Sequence, residues 1–168
     1  NSLSTSLTLG SAARAVRTLD LPPGPARLVP SGRGTTPDMA ALVNGVAGHV
    51  LDYDDVALDG HPSAVLFPAV LAEAERLDAS EARLLRAYLC GYEAWAGLRR
   101  ASSSSLHARG WHPSGVFGAV GAAVACAVLN GLDADGIARA IGIGVAEAGG
   151  VVANFGSMAK SYQVGCVA

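Results

Sequence analysis

Thr36-Pro37-Asp38-Met39-Ala40-Ala41-Leu42-Val43-Asn44-Gly45-Val46-Ala47-Gly48-His49-Val50-Leu51-Asp52-Tyr53-Asp54-Asp55 is the stretch whose reading decides the fold class. Thr36 is placed to cap a helix, Pro37 suits a first turn whose N–H has no helical partner, and Asp38 favours the positive end of the dipole. Met39, Leu42, Val43, Val46 and Val50 recur at three- and four-residue steps, which predicts a helix running to about 52–55 with one apolar face. Asn44, Gly48, Asp52 and Asp55 fall on a second face, with His49 three positions before Asp52. Carboxylates at a helix C-terminus oppose the dipole by a few tenths to ~1 kcal/mol each. That cost points to a use.

Outward from this segment the helical period persists. A short helix is expected over 11–19 after a Ser/Thr-rich loose end at 1–7. The segment 21–36 holds four Pro and three Gly and reads as an extended loop with one short strand at 26–29. Further helices are expected from His61-Pro62-Ser63 to about 77, from 80 to about 102 with a core stripe of Leu84, Leu85, Tyr88, Leu89, Tyr92 and Trp95, from Trp111-His112-Pro113-Ser114 to 129, and over 134–148. A loop at 151–160 precedes the tail. No repeats, heptads or alternating strand runs occur, so the chain is expected to be all-α, a helical bundle forming one domain over 1–168.

Composition narrows the function. With 51% hydrophobic and 15% charged residues and a net charge of -2, the chain offers no basic face for nucleic acid. The uncharged run 113–132 contains several Gly and reads as a buried helix rather than a membrane span. Abundant Gly and Ala predict closely approaching backbones. Cys90, Cys126 and Cys166 form no paired motif and suggest a reduced, cytoplasmic protein, and no signal peptide is visible.

Against that uncharged background, four acids (Asp52, Asp54, Asp55, Asp59) and His61 fall within positions 52–61. His-Pro-Ser occurs twice, at 61–63 and 112–114, each opening a helix where free N–H groups favour anions and neutral imidazole. Lys160, in Asn154-Phe155-Gly156-Ser157-Met158-Ala159-Lys160, is the only lysine. Acids, two histidines and one lysine are the inventory for proton transfer beside a bound carboxylate. Two metal readings are weaker. The run Asp54-Asp55-Val56-Ala57-Leu58-Asp59 resembles a magnesium motif but has no second acidic counterpart. Zinc held by His49, Asp52 and His61 lacks a completing cysteine or histidine. No cofactor or metal is therefore expected.

These segments, together with Ala40-Ala41-Leu42-Val43-Asn44-Gly45 and Gly91-Tyr92-Glu93, occur in the order found in the MmgE/PrpD family, which the chain resembles over about 10–168. The resemblance implies the large helical domain of enzymes that dehydrate, decarboxylate or epimerise small di- and tricarboxylates. It places Asp52, His61, His112 and Lys160 on active-site positions, with Asp55, Ser63, Ser114 and Ser157 as substrate-binding candidates. It also implies a dimer, or a heteromer with a chain supplying the α+β lid domain that is absent from this sequence. The alternative is a non-catalytic module whose helical face binds a partner polypeptide. The family's decarboxylase has a hydroxyl residue where this chain has Val56, and its loop to His61 is one residue longer.

Overall fold

The computed structural model describes residues 11–29 and 31–168, so the loose end expected at 1–7 lies outside the described residues. Among the described residues seven α-helices follow one another: α1 (Ser11–Arg17), α2 (Pro37–His49), α3 (Pro62–Arg76), α4 (Glu81–Ala101), α5 (Pro113–Leu129), α6 (Ala134–Glu147) and α7 (Met158–Cys166). The Pro/Gly-rich segment before α2 forms a two-stranded antiparallel pair, β1 (Ala26–Arg27) with β2 (Gly34–Thr35), in which Ala26 faces Thr35 and Arg27 faces Gly34. Asn44, buried on α2, ties this segment down by accepting from the Val29 N–H and donating to the Arg27 carbonyl.

α3 is the hub, in contact with α2, α4, α5 and α7, while α5 packs between α3, α4 and α6. The uncharged composition of α5 is explained by this position, since all but a few of its residues are buried. Leu66, Trp95, Phe117 and Val164 form the central core, flanked by a Val43/Val46/Leu28 cluster and by a Val70/Ala125/Leu129 cluster. The backbones approach as closely as the Gly and Ala content predicts. A methyl group on Gly91 of α4 would lie 2.6 Å from the Gly121 carbonyl of α5, and one on Gly165 of α7 would lie 2.5 Å from the Leu42 carbonyl of α2.

Four expectations change. α2 stops at His49, because the chain turns through Asp52 in the left-handed region (φ 52°), so Asp52 and Asp55 do not share its face with Asn44. Leu85 and Leu89 lie outside the core stripe of α4 and are more than half exposed. A second strand pairs with the one expected. The loop expected over 151–160 contains a 3-10 turn at Val152–Asn154 and ends at Ser157, which caps α7 from Met158, so the last three residues of the expected loop and the tail are helical. Among the described residues no helix is long and apolar enough to cross a membrane, and Cys90, Cys126 and Cys166 are free thiols.

Candidate active site

One end of the bundle collects side chains from four helices. α2 delivers His49 at its last residue, and the Asp52 N–H reaches back to the His49 carbonyl (3.2 Å). Aspartate is among the few residues that tolerate the left-handed conformation adopted there, at a cost on the order of 1 kcal/mol. Next, Ala57 and Gly60 exchange both backbone hydrogen bonds (3.0 and 2.9 Å) around Leu58 and Asp59, whose φ angles of 52° and 65° match the positive values that a two-residue turn of type I′ requires. The Trp95 indole N–H donates to the Leu58 carbonyl (3.2 Å) and Arg99 holds Asp59 at 2.5 Å, so the turn is pinned to α4. His61 follows as the N-cap residue of α3, and its N–H donates to Ser114 Oγ (3.0 Å). The two His-Pro-Ser segments are therefore joined directly, with His112 standing in the same position before α5.

The ionisable groups form a continuous cluster. Lys160 Nζ, on the first turn of α7, donates to Asp52 Oδ1 at 2.5 Å. Asp52 is half exposed, so screening limits the pair to about 1 kcal/mol or less. Asp54 is different, with its side chain only 7% exposed. His49 Nδ1 lies 2.9 Å from its Oδ2 and His61 Nδ1 lies 3.2 Å from the same oxygen. The second contact is an ion-pair distance whose direction falls short of a full hydrogen bond. His61 Nε2 is 4.0 Å from Asp52 Oδ1. The His49 ring meets that of His61 edge-on (4.6 Å) and stacks with that of His112 at 6.0 Å, while Phe155 meets His112 edge-on (4.8 Å).

Charge and burial set the proton affinities. Burial alone would raise the Asp54 carboxyl, but the two imidazoles outweigh it and hold the group well below the usual carboxylate range. The contact with Asp54 in turn raises His61 above its ordinary 6.5, against burial and the Lys160 charge. His112 goes the other way, pushed down to about 4 by burial first and then by His49 and Lys160. Two histidines in one cluster are thus shifted in opposite directions, and such divergence is how a site separates acid from base.

Beside the cluster opens a cavity of about 490 Å³, walled by His49, Asp52, Ser157 and Lys160 among others. His49 Nε2, Asp54 Oδ1 and His112 Nε2 are buried without a hydrogen-bond partner among the described residues. Buried polar atoms are normally paired, so several unpaired ones together suit a polar ligand.

The eight residues singled out from sequence divide as follows. Asp52, His61, His112 and Lys160 are brought together, and Ser157 lies on the cavity wall, its Oγ accepting from the Ala159 N–H. Asp55 accepts from the Ser63 N–H at 3.0 Å and Ser63 Oγ bonds Tyr88 Oη at 2.7 Å, so both stand at the start of α3, away from that wall. Ser114 is fully buried under His61. Three groups in the cluster were not expected there: Asp54, which reads from sequence as solvated or structural, His49 as its partner, and Gln163 against His112. Gln163 carried one overlooked signal, as the chain's only glutamine three residues after its only lysine.

His49, Asp52, Asp54 and His61 offer ligand atoms within 4.8 Å of one another, and Asp54 supplies the fourth ligand that the zinc reading lacked. The Lys160 ammonium, however, already sits on Asp52 Oδ1, and a second cation on that oxygen would face its charge at close range.

Comparison with known proteins agrees with this architecture. The model of the MmgE/PrpD N-terminal domain matches residues 4–168. Cis-aconitate decarboxylase of Aspergillus terreus is 31% identical over 156 residues, covering 88% of this chain and 32% of that protein. Cis-aconitate decarboxylase of Homo sapiens is 34% identical over 135 residues (77% and 28%), and the cis-aconitate decarboxylase-like protein oryM of Aspergillus oryzae is 33% identical over 165 residues (90% and 34%). The chain spans about a third of the length of these curated relatives. With a helical bundle, the motifs in family order and a family model that matches residues 4–168 of the chain, the chain belongs to the MmgE/PrpD family, within that family's N-terminal domain.

Proposed function

We propose that this chain carries the proton-handling wall of an enzyme acting on small di- or tricarboxylates, by dehydration, decarboxylation or epimerisation. The observation that supports it is the pair of His-Pro-Ser histidines in one cluster with oppositely shifted proton affinities, beside a lysine and an open cavity. Two of the named relatives are cis-aconitate decarboxylases, whose substrate is of the required class.

In this reading Lys160 leaves Asp52 to pair with a substrate carboxylate, and neutral His112 donates from Nε2 to the same group. Either His61 in its unprotonated form, the stronger base for its raised proton affinity, or Asp52 once Lys160 has left it takes the proton from the carbon next to that carboxylate. The electron pair of the broken C–H bond moves onto the carboxylate, where the ammonium and the N–H donor stabilise it. From that state, loss of hydroxide with a proton from the site gives dehydration, and return of a proton to the opposite face gives epimerisation. Decarboxylation breaks no C–H bond first: the C–C bond to one carboxylate breaks, CO2 leaves, and the electron pair left on the carbon skeleton takes one proton that the site supplies. Residues 1–168 act as one unit in this scheme, in a reducing, cytoplasmic setting that free thiols suit. A smaller α+β domain, from the same or a second polypeptide, closes over the cavity.

Proton NMR in D2O with a panel of di- and tricarboxylates, cis-aconitate included, tests the reading. Loss of C–H signal or appearance of product is expected with at least one compound. His61→Ala and Lys160→Ala should each slow it by about 10²-fold or more. Wild-type rates in both variants would overturn the assignment.

A further inference from the structure

The amide of Gln163 has only one orientation that its neighbours allow. Its Oε1 accepts from the Val151 backbone N–H (2.9 Å) and from Asn154 Nδ2 (2.6 Å). Its Nε2 faces the Val151 carbonyl (3.3 Å), which can only accept. A flip would set oxygen against oxygen and N–H against N–H, so the backbone decides which end is which. The remaining contact of Nε2 is His112 Nδ1, at 3.0 Å.

An amide NH2 donates and cannot accept, so His112 Nδ1 must present a lone pair. We propose that Gln163 is a positioning residue that fixes the proton of His112 on Nε2, making that buried, unpartnered atom a neutral hydrogen-bond donor toward the cluster. The rest of the local structure serves this contact. The His112 N–H donates to the Gly150 carbonyl (3.0 Å), and Trp111 bridges to Val151, so the segment carrying Val151 is sewn to the start of α5. Gly150 lies at φ 101°, and a methyl group there would stand 3.2 Å from His112 Cβ and 3.3 Å from Gln163 Cδ, so only glycine fits without displacing one of them. The groups facing His112 from other elements are His49 of α2, Asp52 of the following loop, His61 at the start of α3 and Lys160 of α7, three bases to one acid. That balance, with burial, keeps the ring uncharged, and Gln163 then selects the tautomer. The location of the proton rests on hydrogen bonds alone, whereas its use on a substrate carboxylate rests on the proton-transfer reading above.

The test is two-bond 1H–15N NMR of histidine-labelled protein near pH 7, without substrate. His112 should show an unprotonated Nδ1 and a protonated Nε2, a reading that needs no variant. In Gln163→Glu the introduced carboxylate should accept from Nδ1–H, inverting the tautomer and raising the proton affinity of His112 by about 10-fold or more. A proton on Nδ1 in the wild type, or a folded Gln163→Glu variant with tautomer and titration unchanged, would overturn the proposal. Failure of the carboxylate panel with the tautomer as stated would instead count against the proton-transfer reading, leaving the Gln163 assignment intact.

Discussion

Asp54 shows how a single residue changes meaning between sequence and structure. In sequence it is one of four acids in a short acidic run, and nothing in its spacing separates it from Asp59. In the structure Asp59 meets Arg99 at the surface of the turn, while Asp54 is turned inward between two imidazoles. The difference arises from the left-handed turn at Asp52, which no residue type dictates and which breaks the helical face predicted through 55. Asp54→Asn keeps the shape and removes the charge. Because Asp54 is the principal group raising His61, the substitution should lower the His61 proton affinity, read by NMR titration. An unchanged titration in folded protein would show that Asp54 does not act on His61.

At the scale of elements, most helices were legible because their signals are local. Proline at the first helical position, Ser80 as an N-cap and the three- and four-residue apolar steps all act within one turn. What sequence left open depended on partners. Leu85 and Leu89 have the right spacing for a core stripe, but α5 packs on the neighbouring face, where Gly91 and Gly121 bring the backbones together. Gly91→Ala places a methyl group 2.6 Å from the Gly121 carbonyl, which is backbone and cannot rotate away. Overpacking of this kind should cost about 1–3 kcal/mol in denaturant unfolding. An unchanged midpoint would contradict this packing of α4 on α5. α7 was missed because it is only nine residues long and follows a glycine-rich loop.

Across the whole molecule the site is made by the fold, since its residues come from positions 49 to 163 and meet only when α3 and α5 begin side by side. The sequence could pair the two His-Pro-Ser segments by likeness but not by contact. It could not foresee that one histidine would gain a carboxylate neighbour and the other lose solvent. That asymmetry makes stability depend on pH. A neutral buried His112 contributes stability that is present above its unfolded value of 6.5 and is lost as pH falls from 6.5 toward 4, because the unfolded chain then binds a proton that the folded one refuses. At about 1.4 kcal/mol per unit the loss is up to about 3 kcal/mol. His61 has the opposite sign: its contribution is full below 6.5 and fades as pH rises through its raised folded value. Unfolding measured from pH 7 to 4 should therefore decline less in His112→Gln than in the wild type, and equal slopes would contradict the burial argument.

The most direct measurement is the titration of both imidazoles in the same folded protein by NMR. His61 should titrate above 6.5 while His112 stays neutral until the pH approaches 4. If the two titrate together between pH 6 and 7, they are not held in opposite states, and the division of labour proposed for this site fails.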